Sequence, residues 1–193
     1  GNAAGDVGGQ MMFSTLSEWE VDGVLGFDTG VWCEGKEGRA KGGMGKSEVA
    51  VRYRAKSLWG GSNMKGAWAS GMSKVREGVQ GGCTSLVHEG GAPRVMGTMV
   101  DSRGWGRWSA VRMRGVGGKE LLLVSVYWPV ESACAVRGSM WNRQSEEMRR
   151  LGLVKDGKRP DPRKQLREDM RELMVGWGSE RGLSVVMMGD MNL

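Results

Sequence analysis

Carboxylate, amide and phenol groups stand in this sequence where apolar runs stop. Asp28 closes the run 24–27, Tyr127 closes the run 120–127, Asp190 and Asn192 follow the run 183–188, and Asn2 lies close to the first residue. Oxygen donors of these kinds suit a hard divalent cation, which takes one or two carboxylates and keeps several waters. Hydrolysis of a phosphodiester, whose negative charge repels hydroxide, is one chemistry that such a cation serves. Each segment alone also reads in structural terms. Gly189-Asp190-Met191-Asn192 is equally a turn whose Asp and Asn cap local backbone. Tyr127 before Trp128-Pro129 is equally a core aromatic, and Asp28 before Thr29-Gly30 a plain turn former.

The elements that must position these groups follow from periodicity. Met12, Leu16 and Trp19 at helical spacing predict a short amphipathic helix within 9–20. The apolar run 24–27 predicts a strand buried on both faces, and alternation over 48–53 predicts another. Residues 57–82 are punctuated by glycine without a sustained period and read as loop or weak helix. Short strands are then expected at 83–88, 95–100, 107–113 and 120–127, close enough in sequence to pair antiparallel, with 120–127 central. After a long polar connection with one helix around 144–151, Asp161-Pro162 supplies an N-cap and a proline at the first helical position. Leu166, Met170, Leu173, Met174 and Trp177 follow on one face. That helix feeds a last buried strand, 183–188, which delivers Gly189 and Asp190. Antiparallel strands interrupted by helices that cover a sheet face describe an α+β fold, a layered α/β sandwich of mixed and antiparallel sheets flanked by helices in one domain, 1–193.

Taken in order, Asn2-Ala3-Ala4-Gly5, Phe27-Asp28-Thr29, Tyr127-Trp128-Pro129 and Gly189-Asp190-Met191-Asn192 resemble the endonuclease/exonuclease/phosphatase superfamily. That family runs Asn-x-x-Gly, a Gln-Glu-Thr-like strand end, Tyr-x-Pro and Gly-Asp-x-Asn. Gly81-Gly82-Cys83-Thr84-Ser85 and the Asp101 to Arg107 turn resemble its Gly-Gly and Gly-Arg hairpin region, so the likeness extends over nearly the whole chain. The resemblance implies a DNase I-like fold and hydrolysis of phosphodiesters with Mg2+ or Mn2+, most fittingly by a DNA endonuclease of the retroelement or abasic-site type. It implies Asp28 and Asn2 as metal ligands. Asp190 then orients or deprotonates the attacking water, Asn192 positions Asp190 and the phosphate, and Tyr127 donates a hydrogen bond near the phosphate oxygens. Arg137, just beyond Tyr-x-Pro, reads first as a solvated loop charge and second as a group that contacts phosphate.

The chain departs from the pattern in three places. Asp28 stands where the family has Glu, a carboxylate drawn back by about 1.5 Å against a cation that holds its ligands near 2.0–2.1 Å. Ala4 replaces a polar residue. The family's later Asp and Ser-Asp-His are expected beyond Leu193, and its first strand before Asn2, so the chain is expected to be a partial domain. A different class of function follows from the same departures: a catalytically inactive remnant, or a nucleic-acid-binding module of the same fold.

Bulk properties narrow the rest. The net charge of +6 favours a polyanionic partner such as nucleic acid or acidic lipid, and the resemblance puts DNA foremost. Cys33, Cys83 and Cys134 are odd in number and widely spaced, which argues against a disulfide framework or a zinc site. A reducing, intracellular setting, nuclear or cytoplasmic, is expected. No apolar run is long enough to span a bilayer. Gly42-Gly43-Met44-Gly45-Lys46-Ser47 imitates a phosphate-binding loop, but Ala40 occupies the position that motif reserves for glycine. His88, the sole histidine, is expected to be a surface residue at a strand end. Isoleucine is absent while Met reaches 15 and Gly 34, a bias that favours a loosely packed interior.

Overall fold

A computed structural model describes residues 23–27, 64–69, 73–75, 78–80, 82–88, 90–131, 139–154, 157–178 and 183–191. The expected elements at 9–20 and 48–53 and the segment 42–47 that imitates a phosphate-binding loop lie outside these residues.

Two sheets face each other. In the first, β1 (Gly23–Phe27) and β2 (Met64–Ala69) flank β5 (Cys83–His88), both antiparallel to it. The second has the order β6 (Val95–Val100), β7 (Trp108–Arg114), β8 (Glu120–Tyr127) and β9 (Leu183–Asp190). Its first three strands form an antiparallel meander and β9 joins β8 in parallel. A small hairpin of β3 (Ser73–Val75) and β4 (Gly78–Gln80) stands apart. Across the sandwich β1 lies opposite β8 and β9, β5 opposite β7 and β8, and β2 opposite β6 and β7. Ser85 on β5 and Ser109 on β7, both fully buried, join the sheets through their hydroxyls at 2.9 Å. The turn between β7 and β8 holds Gly117 and Gly118 at φ of +65° and +76°, a region that side chains other than glycine enter at a cost.

The outer face of the second sheet is apolar because strand residues alternate in direction. Trp108 and Ala110 from β7 and Leu122, Val124 and Val126 from β8 form one buried cluster with Leu166, Met170 and Leu173. Those three recur at i, i+4 and i+7 on a helix, Pro162–Gly178, while α1 is the shorter helix Met140–Arg150 and the long one is α2. Asp161 caps α2, its carboxylate accepting from the Lys164 amide at 2.9 Å. Arg112 stacks on Trp177 near the other end of α2, 5.5 Å from the ring centre.

The α+β sandwich, the strands of the second sheet and the capped long helix agree with expectation. Four details differ. Residues 57–82 contain three strands rather than loop or weak helix. An added Cβ on Gly66 of β2 would overlap the Ser85 carbonyl oxygen, so that glycine marks close strand packing. The shorter helix begins at Met140, not near residue 144. Ser139 caps it by accepting from the Asn142 amide at 3.3 Å, and Met140 and Trp141 are buried. His88 closes a strand as expected, yet it is buried with 9% of its surface exposed. The strand 183–188 runs on to Asp190 and is not buried. Met188 is 55% exposed and Val185 42%, because β9 pairs on one side only among the described residues.

Leu166 is fully buried at the centre of the helix–sheet cluster. Leu166→Ala is expected to lower unfolding stability by about 2–5 kcal/mol, read from the midpoint of urea unfolding at unchanged slope.

Candidate active site

Four strands bring chemistry to one end of the sandwich. In the parallel ladder Tyr127 stands opposite Asp190, and the Trp128 amide donates to the Asp190 carbonyl at 2.9 Å. One strand over, the Tyr127 amide donates to the Arg107 carbonyl at 2.7 Å. Arg107, immediately before β7, therefore lies in one row with Tyr127 and Asp190, the last residues of β8 and β9. In the facing sheet Phe27 pairs with Cys83, and Cys83 shares a buried cluster with Tyr127 and Met140. The end of β1, whose next residue in sequence is Asp28, thus meets the end that carries Tyr127 and Asp190.

Gly189 makes the row possible. A Cβ there would overlap the Val126 carbonyl oxygen and lie 2.8 Å from the carbonyl carbon, so only glycine lets β9 approach β8 this closely. The glycine of Gly-Asp-x-Asn is a packing requirement here, whatever its neighbours do. Tyr127 is 8% exposed, its ring held between the sheets, whereas Asp190 is only partly buried.

A buried ion cluster fixes the loop beneath this row. Asp101 closes β6, and its two carboxylate oxygens each accept from the Arg107 guanidinium at 2.8 Å. They also accept from the amides of Arg103 and Arg107, at 3.1 and 3.2 Å. Arg107 reaches on to Asp169 of α2, which Arg103 also grips at 2.8 and 2.9 Å and Gln165 at 2.9 Å. Trp105 lies under both guanidinium groups, 4.6 Å from Arg107 and 5.5 Å from Arg103. Burial alone would discourage the Asp169 charge, but the hydrogen bonds from Arg103 and Arg107, the Arg107 field and the Gln165 bond outweigh it. They hold the carboxyl below its ordinary range. For Arg107 burial again opposes the charge, and its bonds to Asp101 and Asp169 prevail and raise the guanidinium above its usual value.

Of the residues named from sequence, Tyr127 and Asp190 are brought together directly. Asp28, Asn2, Asn192 and Arg137 lie outside the described residues. Sequence reading missed the cluster of Asp101, Arg107 and Asp169. The only signal was the Asp-x-x-x-x-x-Arg turn between two strands, and nothing in it identifies a carboxylate 62 residues from Arg107 as its third partner. On the rim, Arg163 donates to the Pro129 carbonyl at 2.9 Å and Arg167 lies over Trp128 at 6.0 Å, so two cations of α2 flank the end of β8. No helix of the described residues is long and apolar enough to cross a membrane.

No family model matches the chain, and no curated protein matches it. Among solved structures it is similar to two of TDP2 from Caenorhabditis elegans, each at 14% identity and a TM-score of 0.45, covering 99% of this chain and 44% or 45% of theirs. It is also similar to an endonuclease/exonuclease/phosphatase family protein from Leptotrichia buccalis, at 8% identity and a TM-score of 0.43, covering 99% of this chain and 64% of that one. The chain thus spans less than half the length of the TDP2 structures and under two thirds of the bacterial protein.

Two measurements probe this strand end. Gly189→Ala forces β9 away from β8 and is expected to cost about 1–3 kcal/mol, with the Trp128 amide losing protection from hydrogen exchange. The Asp169 carboxyl is depressed in the folded state, so its contribution is whole above the unfolded carboxylate value of about 3.9 and is lost as pH falls through the lower folded value. Asp169→Asn is therefore expected to weaken the protein at neutral pH and to flatten the loss of stability below about pH 4 in acid titrations of the unfolding midpoint.

Proposed function

We propose that this chain forms a DNase I-like phosphodiesterase domain of the endonuclease/exonuclease/phosphatase type, acting on DNA with a divalent cation. The observation that carries the reading is the register that sets Tyr127 opposite Asp190, at the same end of the sandwich as the last residue of β1. Four sequence segments far apart in the chain were named for this chemistry, and the described ends of three of them converge. The two α2 cations beside Trp128 and Pro129, with a net charge of +6, suit a polyanionic backbone.

The donor set of the reading is carboxylate and amide oxygen, the chemistry of a hard cation such as magnesium. No group of three His, Cys, Asp or Glu side chains among the described residues could hold a metal ion. The reading accordingly assigns the ligands to Asp28 and Asn2, outside those residues. When bound, the cation neutralises the phosphodiester and stabilises charge in the transition state. Asp190, partly open to solvent, orients a water and accepts its proton. Asn192 holds Asp190 and the phosphate, and the Tyr127 phenol donates to a phosphate oxygen from a ring fixed by the sandwich.

The test is nicking of supercoiled plasmid by the chain with magnesium. Nicking is expected to cease with chelator and to fall by about 10²–10⁴-fold in Asp190→Ala. Equal nicking by both proteins overturns the role of Asp190. Salt-sensitive DNA binding with neither nicking nor metal dependence replaces the enzymatic reading with that of a nucleic-acid-binding module.

A further inference from the structure

We propose that Arg107 is a positioning residue for the strand-end site, acting through the main-chain segment Gly106–Arg107 that ties the two sheets together beside Tyr127. Consecutive carbonyls of this segment serve different sheets. The Gly106 carbonyl accepts from the Gly82 amide at 3.2 Å, at the entry to β5, and the Arg107 carbonyl accepts from the Tyr127 amide at 2.7 Å, at the exit of β8. Gly82 precedes Cys83, which pairs with Phe27 and shares a buried cluster with Tyr127. Any shift of residues 106–107 is therefore felt by both halves of the strand end at once.

The Arg107 side chain is what prevents that shift. It is fully buried and uses two nitrogens on Asp101, and one of the two also reaches Asp169 on α2. It also lies over Trp105 at 4.6 Å. A buried guanidinium held this way cannot move without withdrawing the two bonds that neutralise the buried Asp101 carboxylate, a costly loss in that medium, whereas Asp169 keeps Arg103 and Gln165. The segment is thus locked to the helix that covers the sheet as well as to the turn it belongs to. Lysine cannot substitute, because one ammonium cannot reproduce a planar fork that meets a carboxylate with two parallel bonds while touching a second carboxylate. Arg107 is removed from the reacting atoms in this scheme, and its effect passes through Tyr127.

The kinetic part of the proposal rests on the phosphodiesterase reading, whereas the geometric part does not. The chain has two tyrosines, Tyr53 and Tyr127, so in a Tyr53→Phe background the ring-carbon NMR signal of labelled tyrosine reports Tyr127 alone. Arg107→Lys and Asp169→Asn are expected to shift that signal while a cooperative thermal transition is retained. Arg112→Lys, which disturbs the separate ion pair with Glu120 farther along the sheet, is expected to leave it in place. In the nicking assay Arg107→Lys is expected to lower kcat by about 100-fold with KM nearly unchanged, as for a misplaced catalytic group. A folded Arg107→Lys protein with an unmoved Tyr127 signal overturns the proposal whatever its activity. A shifted signal in a chain whose unmodified form does not nick DNA supports the positioning role and removes the enzymatic reading. Should Arg107→Lys fail to fold, Asp169→Asn gives the same reading, because the Arg107–Asp101 pair remains. In the unmodified protein the amides of Gly82 and Tyr127 are expected to open together in hydrogen exchange, and protection of one without the other overturns the tie.

Discussion

Parallel pairing of β8 with β9 is the constraint on which the other features depend. Two parallel neighbours cannot be joined by a tight turn, so the chain must leave the end of β8 and return to the start of β9 through a long crossover. Here the crossover carries both helices, and the apolar stripe of α2 is laid back over the strands it connects. The same pairing sets the row of Arg107, Tyr127 and Asp190, because backbone register fixes which residues stand opposite one another. Gly189 is the local condition for it, since any larger residue would meet the Val126 carbonyl. One close contact between main chains thus decides the helix position, the strand order and the convergence of the strand-end groups.

The buried ion cluster supplies what apolar packing cannot. Helix α2 could slide along the sheet by a fraction of a turn and still bury Leu166, Met170 and Leu173, because apolar contact is not directional. Asp169 removes that freedom by meeting Arg103 and Arg107, whose own positions follow from the turn after β6. Two cations and two anions balance within the cluster, so the charges are compensated in place. One Arg107 nitrogen, Nη1, is nevertheless buried without a hydrogen-bond partner among the described residues. The energetic gain of such a cluster over a well-packed apolar one is small or negative. Its value lies in orientation.

How far the fold could be read from sequence depended on whether each element declared itself by period or only by partners. The strands from Cys83 to Tyr127 alternate or run apolar between turn residues, and the long helix has its cap, its proline and its stripe in sequence. Residues 64–80 lack any such pattern, because Gly66 is required by the closeness of β5 and reads as a loop former when that neighbour is unseen. The burial of His88 and the exposure of β9 are likewise facts about neighbours, which a single run of residues does not contain. At the candidate site, motif order singles out Tyr127 and Asp190, and the parallel ladder sets them side by side. The clamp beneath them was not legible in the sequence, since Asp101, Arg107 and Asp169 meet only once α2 is laid across the sheet.

This division bears on the unusual composition. A chain with 15 methionines and no isoleucine has fewer of the stiff, branched side chains that define packing most sharply, although Val87, Val111, Val124 and Val126 remain in its core. Groups positioned by such a core would drift as its flexible side chains repack. The strand-end row is held differently, by main-chain bonds at 2.7 and 2.9 Å, by a glycine contact that leaves no room for a Cβ and by a cluster of charge-assisted hydrogen bonds. None of these depends on whether a given apolar position is filled by methionine, valine or leucine. The backbone register of Tyr127 with Asp190 is therefore insulated from the looseness of the interior, although the Tyr127 ring itself packs in a cluster with Met140, and that register can persist in a sequence whose apolar composition has shifted far from the ordinary.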